Sequence, residues 1–313
     1  VSFLCVVKPF SRLNMSSKID DLVTLDSQGF FPAPDEERAP FLERVAILQK
    51  FQLDVQKQLK ETGKFELDGL VYHKDESVSE KDLFACQNQS KDRYQFQLNY
   101  VPAFFSSQGL NFLFGGMAIS FEDTENKYKK DEIFSIFQLR KCFREKEKFL
   151  IYTRNEIISH EVCHIARAPF KALEYEEFFA YQTSDSAFRK FVSPMLWRGT
   201  DMVVLMLLLL VVFAGQIYGT FFSHDFSYYI YGWIPFFSYL SFLSIRSYFS
   251  RKVISRLREK MIKLCKASEL VEAVLFRMTD KEIREAEKAP SLEDYVASKK
   301  DLRWQIIRKR FLV

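Results

Sequence analysis

Asn155-Glu156-Ile157-Ile158-Ser159-His160-Glu161-Val162-Cys163-His164-Ile165-Ala166-Arg167 is the stretch on which the reading of this chain turns. Thr153 or Asn155 supplies a helix cap, and Pro169 a stop, so the segment from about Asn155 to Arg167 is predicted to be a helix. Positions four apart share a helix face, so His160 and His164 can reach one ion while Glu161 leans toward a bound water. These are two of only four histidines in the chain. Ile157, Ile158, Val162, Cys163, Ile165 and Ala166 make the flanks uncharged, as a buried ligand helix requires. An ordinary helix with two surface histidines would leave those flanks unexplained. Cys163 points elsewhere on the helix and reads as a small core residue.

A catalytic zinc usually takes three protein ligands and keeps one position for water. The third is sought downstream, because His73 lies in a charged stretch and His224 in a turn between two uncharged runs. In Leu173-Glu174-Tyr175-Glu176-Glu177-Phe178-Phe179-Ala180-Tyr181 the chain resembles the gluzincin metallopeptidases, in which a glutamate on a second helix completes the site. Glu177, followed by small Ala180 and aromatic Tyr181, fits that pattern. It lies far enough beyond His164 for a turn at Pro169 and a return helix, predicted over about Ala172 to Phe191. Glu174 shares its face and is the first alternative, whereas Glu176 points about 100° away and reads as a solvated acid. A second resemblance is to membrane-bound gluzincins that carry a membrane hairpin between motif helix and glutamate. Ser255-Arg256-Leu257-Arg258-Glu259 looks like their lead-in, but Ile262 and Lys263 stand where that group has Ala-Asp, so Glu259 ranks behind Glu177.

The resemblance implies a Zn2+-dependent peptidase acting on a peptide or protein substrate. His160, His164 and Glu177 would be its metal ligands, and Glu161 the general base that takes a proton from water and passes it to the leaving amine. An edge strand, from Leu110 to Phe121 or from Ile133 to Leu139, would pair with an extended substrate. Tyr175 or Tyr181 could face the oxyanion, though packing is the simpler role for either. The competing reading is a membrane-anchored scaffold or sensor with a structural zinc. Glu161 separates the two, because a structural site has no use for a non-ligating carboxylate beside its ligands.

Met202 to Phe222 carries no charge and contains Leu207-Leu208-Leu209-Leu210-Val211-Val212-Phe213; Phe226 to Ile245 is also uncharged. About 20 helical residues cross a ~30 Å hydrocarbon core, so the two runs are predicted to form a transmembrane hairpin. Arg189, Lys190 and Arg198 precede it, and Arg246, Arg251, Lys252, Arg256 and Arg258 follow it. That distribution predicts a two-pass protein with cytoplasmic N- and C-terminal parts. A transporter is excluded by the lack of an intramembrane charge.

Upstream, Phe41, Val45, Leu48, Phe51, Val55 and Leu59 recur at helical spacing, predicting an amphipathic helix from Glu36 to about Glu61. A short helix is expected near Glu80 to Cys86. Strands are expected over Tyr94 to Tyr100, Leu110 to Phe121 (broken at Gly115-Gly116) and Ile133 to Leu139. The fold class is therefore expected to be α+β: a zincin-like metallopeptidase domain with a small sheet and two ligand-bearing helices, then the hairpin and a helical C-terminal tail. The segments are 1–35, irregular; 36–200, catalytic; 201–245, hairpin, with spans at 202–222 and 226–245; and 246–313, basic and helical. This last segment holds 18 Lys and Arg against 10 Asp and Glu and could lie on anionic lipid.

Composition narrows the rest. A net charge of +4 and the lack of a basic stretch interleaved with stacking aromatics argue against nucleic acid. Five scattered cysteines make a poor disulfide framework and suit a reducing compartment. Val1 to Val7 is apolar, but Lys8 and Arg12 follow it rather than precede it, so no signal peptide is read and Met15 is a candidate start.

Overall fold

The computed structural model describes residues 18–67, 69–111, 114–122, 128, 133–223 and 227–313. The readings of Val1 to Val7 and of Met15, the position of His224 and the turn between the two uncharged runs lie outside these residues. Helix α1 (Ile19–Ser27) falls in a stretch read as irregular, and it buries Leu22 and Leu25. Helix α2 (Arg38–Thr62) buries all six of the apolar residues whose spacing predicts it, and Gly63 in the left-handed conformation ends it. Strands β1 (Lys64–Leu67) and β2 (Leu70–His73) pair antiparallel, so His73 ends a small hairpin. Helices α3 (Glu80–Ala85) and α4 (Asn88–Tyr94) follow.

The expected strand over Tyr94 to Tyr100 is not one. Its alternation correctly marks Tyr94, Phe96, Leu98 and Tyr100 as buried. The extended backbone, however, is held by a side chain rather than a strand. Gln87 donates to the Leu98 carbonyl (3.0 Å) and accepts from the Leu98 N–H (2.7 Å). Strands β3 (Ala103–Phe105), β4 (Gly116–Glu122) and β5 (Ile133–Leu139) form a sheet in the order β3-β5-β4, with β3 parallel and β4 antiparallel to β5. The central strand is therefore β5, which excludes Ile133 to Leu139 as a free edge; β3 and β4 are the edges. Two-residue strands β6 (Lys148–Phe149) and β7 (Tyr152–Thr153) lead into α5 (Arg154–Arg167).

The helix expected from Ala172 to Phe191 is broken. Its first turn is pre-empted because Asp280 accepts from the N–H groups of Leu173 and Glu174 at 2.8 and 2.7 Å. Helix α6 (Glu176–Gln182) then ends where Thr183 and Ser184 turn their hydroxyls to the Ala180 carbonyl and the Glu156 carboxylate. Helix α7 (Ala187–Val192) follows.

Helix α8 (Gly199–Tyr218) runs on through a π turn (Gly219–Ser223), and α9 (Ser227–Met261) packs antiparallel against it. Gly232 permits the contact: a Cβ there would lie 3.0 Å from the Val212 Cα. Among the described residues one helix, Gly199–Ser223, is long and apolar enough to cross a membrane, with a mean hydropathy of 2.4. The predicted two-helix transmembrane hairpin does not hold, because α9 fails the same test. Its uncharged half is rich in Tyr and Ser and carries Trp233 and Pro235. Hydroxyl and indole groups remove the apolar surplus that the lack of charge suggests.

Helices α10 (Val271–Phe276), α11 (Asp280–Lys288), α12 (Leu292–Ser298) and α13 (Leu302–Phe311) complete the chain. They are helical as expected but do not form a separate tail, since their buried side chains share one core with those of α1–α6. Arg277, fully buried, donates to Asp26 (2.8 Å), to the Tyr94 carbonyl (2.9 Å) and to the Ala273 carbonyl (2.7 Å). Losing Arg277 would leave the buried Asp26 carboxylate with Arg310 alone. Arg277→Met is accordingly expected to lower stability by about 3 kcal/mol, the lower end for breaking a buried pair, measured by denaturant unfolding. The α+β class is corrected as well. Among the described residues the chain is predominantly helical, with thirteen α-helices and strands of at most seven residues in three small sheets.

Candidate metal centre

Helix α5 starts where Thr153 accepts from the Glu156 N–H (3.2 Å), one of the two caps expected. It buries Ile158, Val162, Cys163, Ile165 and Ala166, which fixes its roll and turns His160, Glu161 and His164 toward β4 and α6. Gly115 and Gly116 let the sheet come close. A Cβ on Gly116 would meet the Gln138 carbonyl at 2.8 Å and Ile157 at 2.9 Å. That approach brings the Ala118 N–H to Glu161 Oε2 at 3.0 Å.

His160, His164 and Glu177 converge, each offering a ligand atom within 4.8 Å of the others. The two Nε2 atoms are 3.1 Å apart, and Glu177 lies 3.8 Å from His160 Nε2 and 3.7 Å from His164 Nε2. A tetrahedral ion with ligands at ~2.0–2.1 Å sets them about 3.3 Å apart, close to these separations. Hydrogen bonding points the same way. His164 Nδ1 contacts Glu176 Oε1 at 3.2 Å. With its Nδ1 engaged by Glu176, His164 directs Nε2 at His160 Nε2, an arrangement that a cation between the two would satisfy.

The electrostatics of the cluster also favour positive charge. Burial lowers the His164 pKa, but the Glu176 hydrogen bond and the charges of Glu161, Glu177 and Glu176 outweigh it and hold His164 up at about 9. His160 is pushed well down by burial and by His164. Burial raises Glu161, offset in part by His164 and the Ala118 N–H. Glu177 is likewise raised by burial against the pull of His164. Burial opposes ionisation of Glu176 too, yet Arg167 and His164 hold its carboxyl below the usual range.

Of the expected residues, His160, Glu161 and Glu177 line a cleft of about 190 Å³, walled also by Phe114, Gly116 and Tyr181, and His164 joins His160 and Glu177 behind it. The two alternative ligands do not join them. Glu174 accepts from Ser250 (2.8 Å) and pairs with Arg284; Glu259 is exposed on α9. Tyr181 packs edge-on to the His160 ring at 4.4 Å, whereas Tyr175 is buried and does not line the cleft. Glu176, read as a solvated acid, instead orients His164 and is itself gripped by Arg167 Nε at 2.8 Å. The usable signal is Arg167, a basic residue on the last turn of the helix just after the uncharged Ile165 and Ala166. Comparison with family models, with curated proteins and with solved structures returned no match for this chain.

Proposed function

We propose that this chain is a metal-dependent hydrolase whose ion is held by His160, His164 and Glu177. More narrowly, it is a zinc metallopeptidase, held at a membrane through α8, that cleaves a peptide or protein substrate in the cleft between β4 and α5. The observation that carries this reading is the convergence of two imidazole nitrogens and a carboxylate beside a second carboxylate, Glu161, on the same helix. Two histidines and a glutamate are the donor set of the gluzincins, which this motif resembles.

When bound, zinc supplies Lewis acidity to a substrate carbonyl and brings the pKa of a coordinated water toward ~7. The remaining work falls to the protein. Glu161 accepts the proton of the attacking water on its carboxylate and returns it to the leaving amine. Glu176 keeps His164 in the tautomer that presents Nε2, and Arg167 keeps Glu176 in place. The outer edge of β4, whose Ala118 N–H points at Glu161, suits an extended peptide lying along the cleft. Arg189, Lys190, Arg198, Arg246, Arg251 and Lys252 near the foot of α8 support a cytoplasmic location for this side of the protein.

Metal quantitation and a peptide-hydrolysis assay on the purified full chain test the reading. Bound zinc and measurable hydrolysis are expected, with activity abolished by a chelator and restored by added zinc. A chain that binds no zinc, or whose hydrolysis ignores the chelator, would sink it.

A further inference from the structure

A second concavity, of about 820 Å³, lies between α11 and the foot of α8 and shares no residue with the candidate centre. Helix α11 turns Ile283 and Ala286 into the core, which leaves Lys281, Arg284 and Lys288 exposed at three- and four-residue steps along the groove. Arg198, on the opposite wall, stacks on Trp197 with its guanidinium 4.3 Å from the ring centroid.

The acids of the groove are already engaged. Glu174 is held by Ser250 and Arg284. Asp280 accepts the Leu173 and Glu174 N–H groups. Glu285 takes the Tyr295 hydroxyl (3.3 Å) and Lys299 (3.5 Å), with Lys281 at 3.8 Å. Arg198 and Lys288 enter no ion pair among the described residues. The groove therefore carries surplus positive charge aimed into an open space.

Its location identifies the ligand class. Arg198 immediately precedes, and Gly199 begins, the one helix among the described residues that is long and apolar enough to cross a membrane. Trp197, an amphipathic ring of the kind that collects at membrane–water boundaries, sits between Arg198 and Arg246, the latter 5.1 Å from its centroid. From there α8 presents exposed Met202, Val203, Met206 and Leu207, a surface suited to acyl chains. We propose that the groove binds the phosphate headgroup of an anionic phospholipid in the membrane that α8 enters. Arg198, Lys281 and Lys288 contact the phosphate, and Arg284 lines the site while paired with Glu174.

The test uses the full chain in phosphatidylcholine nanodiscs with and without phosphatidylglycerol, reading retained lipid by native mass spectrometry. Phosphatidylglycerol should be enriched over phosphatidylcholine. The Arg198→Gln, Lys281→Gln and Lys288→Gln substitutions should each cut that enrichment on the order of fivefold without shifting the unfolding midpoint, because all three side chains are exposed. A control with Lys57→Gln and Lys60→Gln on α2 should leave it intact. Equal retention of the two lipids, an equal loss in the α2 control, or displacement of the lipid by free inorganic phosphate would each overturn the proposal. None of these readouts depends on peptide hydrolysis.

Discussion

Glu161→Gln is expected to reduce peptide hydrolysis by about 10²–10⁴-fold, the usual contribution of a positioned general base, while the purified protein keeps its full complement of zinc. The two halves of this expectation come from different contacts. Glu161 is not among the three converging donors, so the substitution removes no ligand. Its carboxylate accepts the Ala118 N–H at 3.0 Å, and a glutamine carbonyl can accept the same bond. The docking of β4 on α5 should therefore survive, and the unfolding midpoint should stay near that of the parent. What glutamine cannot do is accept the proton of the attacking water. Full activity with full zinc in this variant would remove Glu161 from the chemistry and leave the site as a structural one.

Local periodicity was legible in the sequence; long-range partners were not. Helix α2 follows from apolar spacing, α5 from its cap and its proline stop, and β5 from an apolar run bounded by charge. The His160, His164 and Glu177 cluster could be assembled because it needs only one helix, one turn and one return. Helical angle alone assigns Glu176 outward, and only the tertiary position of α6 brings its carboxylate to His164 Nδ1. The late start of α6 and the α6–α7 break were hidden for the same reason, since the first comes from Asp280 and the second from Glu156, both far away in sequence. Similarly, nothing local ties Arg277 to Asp26 across 251 positions, so the C-terminal helices read as a tail rather than as part of the core. The second uncharged run failed on chemistry. Lack of charge is not apolarity in a segment rich in tyrosine and serine.

Glu177→Ala is expected to cause a larger loss of zinc affinity than any other single carboxylate substitution, read by competition with a chromophoric chelator. It deletes one of three donors, and two imidazoles alone leave the ion under-coordinated. Glu176→Gln should act less severely, in the 10–100-fold range usual for a residue that orients a ligand. Glutamine can still accept from His164 Nδ1, but it gives up the charge that pairs with buried Arg167. Some loss of stability should therefore accompany the loss of affinity in Glu176→Gln, and a thermal unfolding scan separates the two effects. Glu174→Ala and Glu259→Ala should leave zinc affinity unchanged, because one carboxylate serves Ser250 and Arg284 and the other faces solvent. The discriminating result is the order Glu177, then Glu176, then Glu174 and Glu259 together. Normal zinc binding in Glu177→Ala, or loss of it in Glu259→Ala, would mean that the third ligand comes from another helix and that the α5–α6 pairing does not build the site.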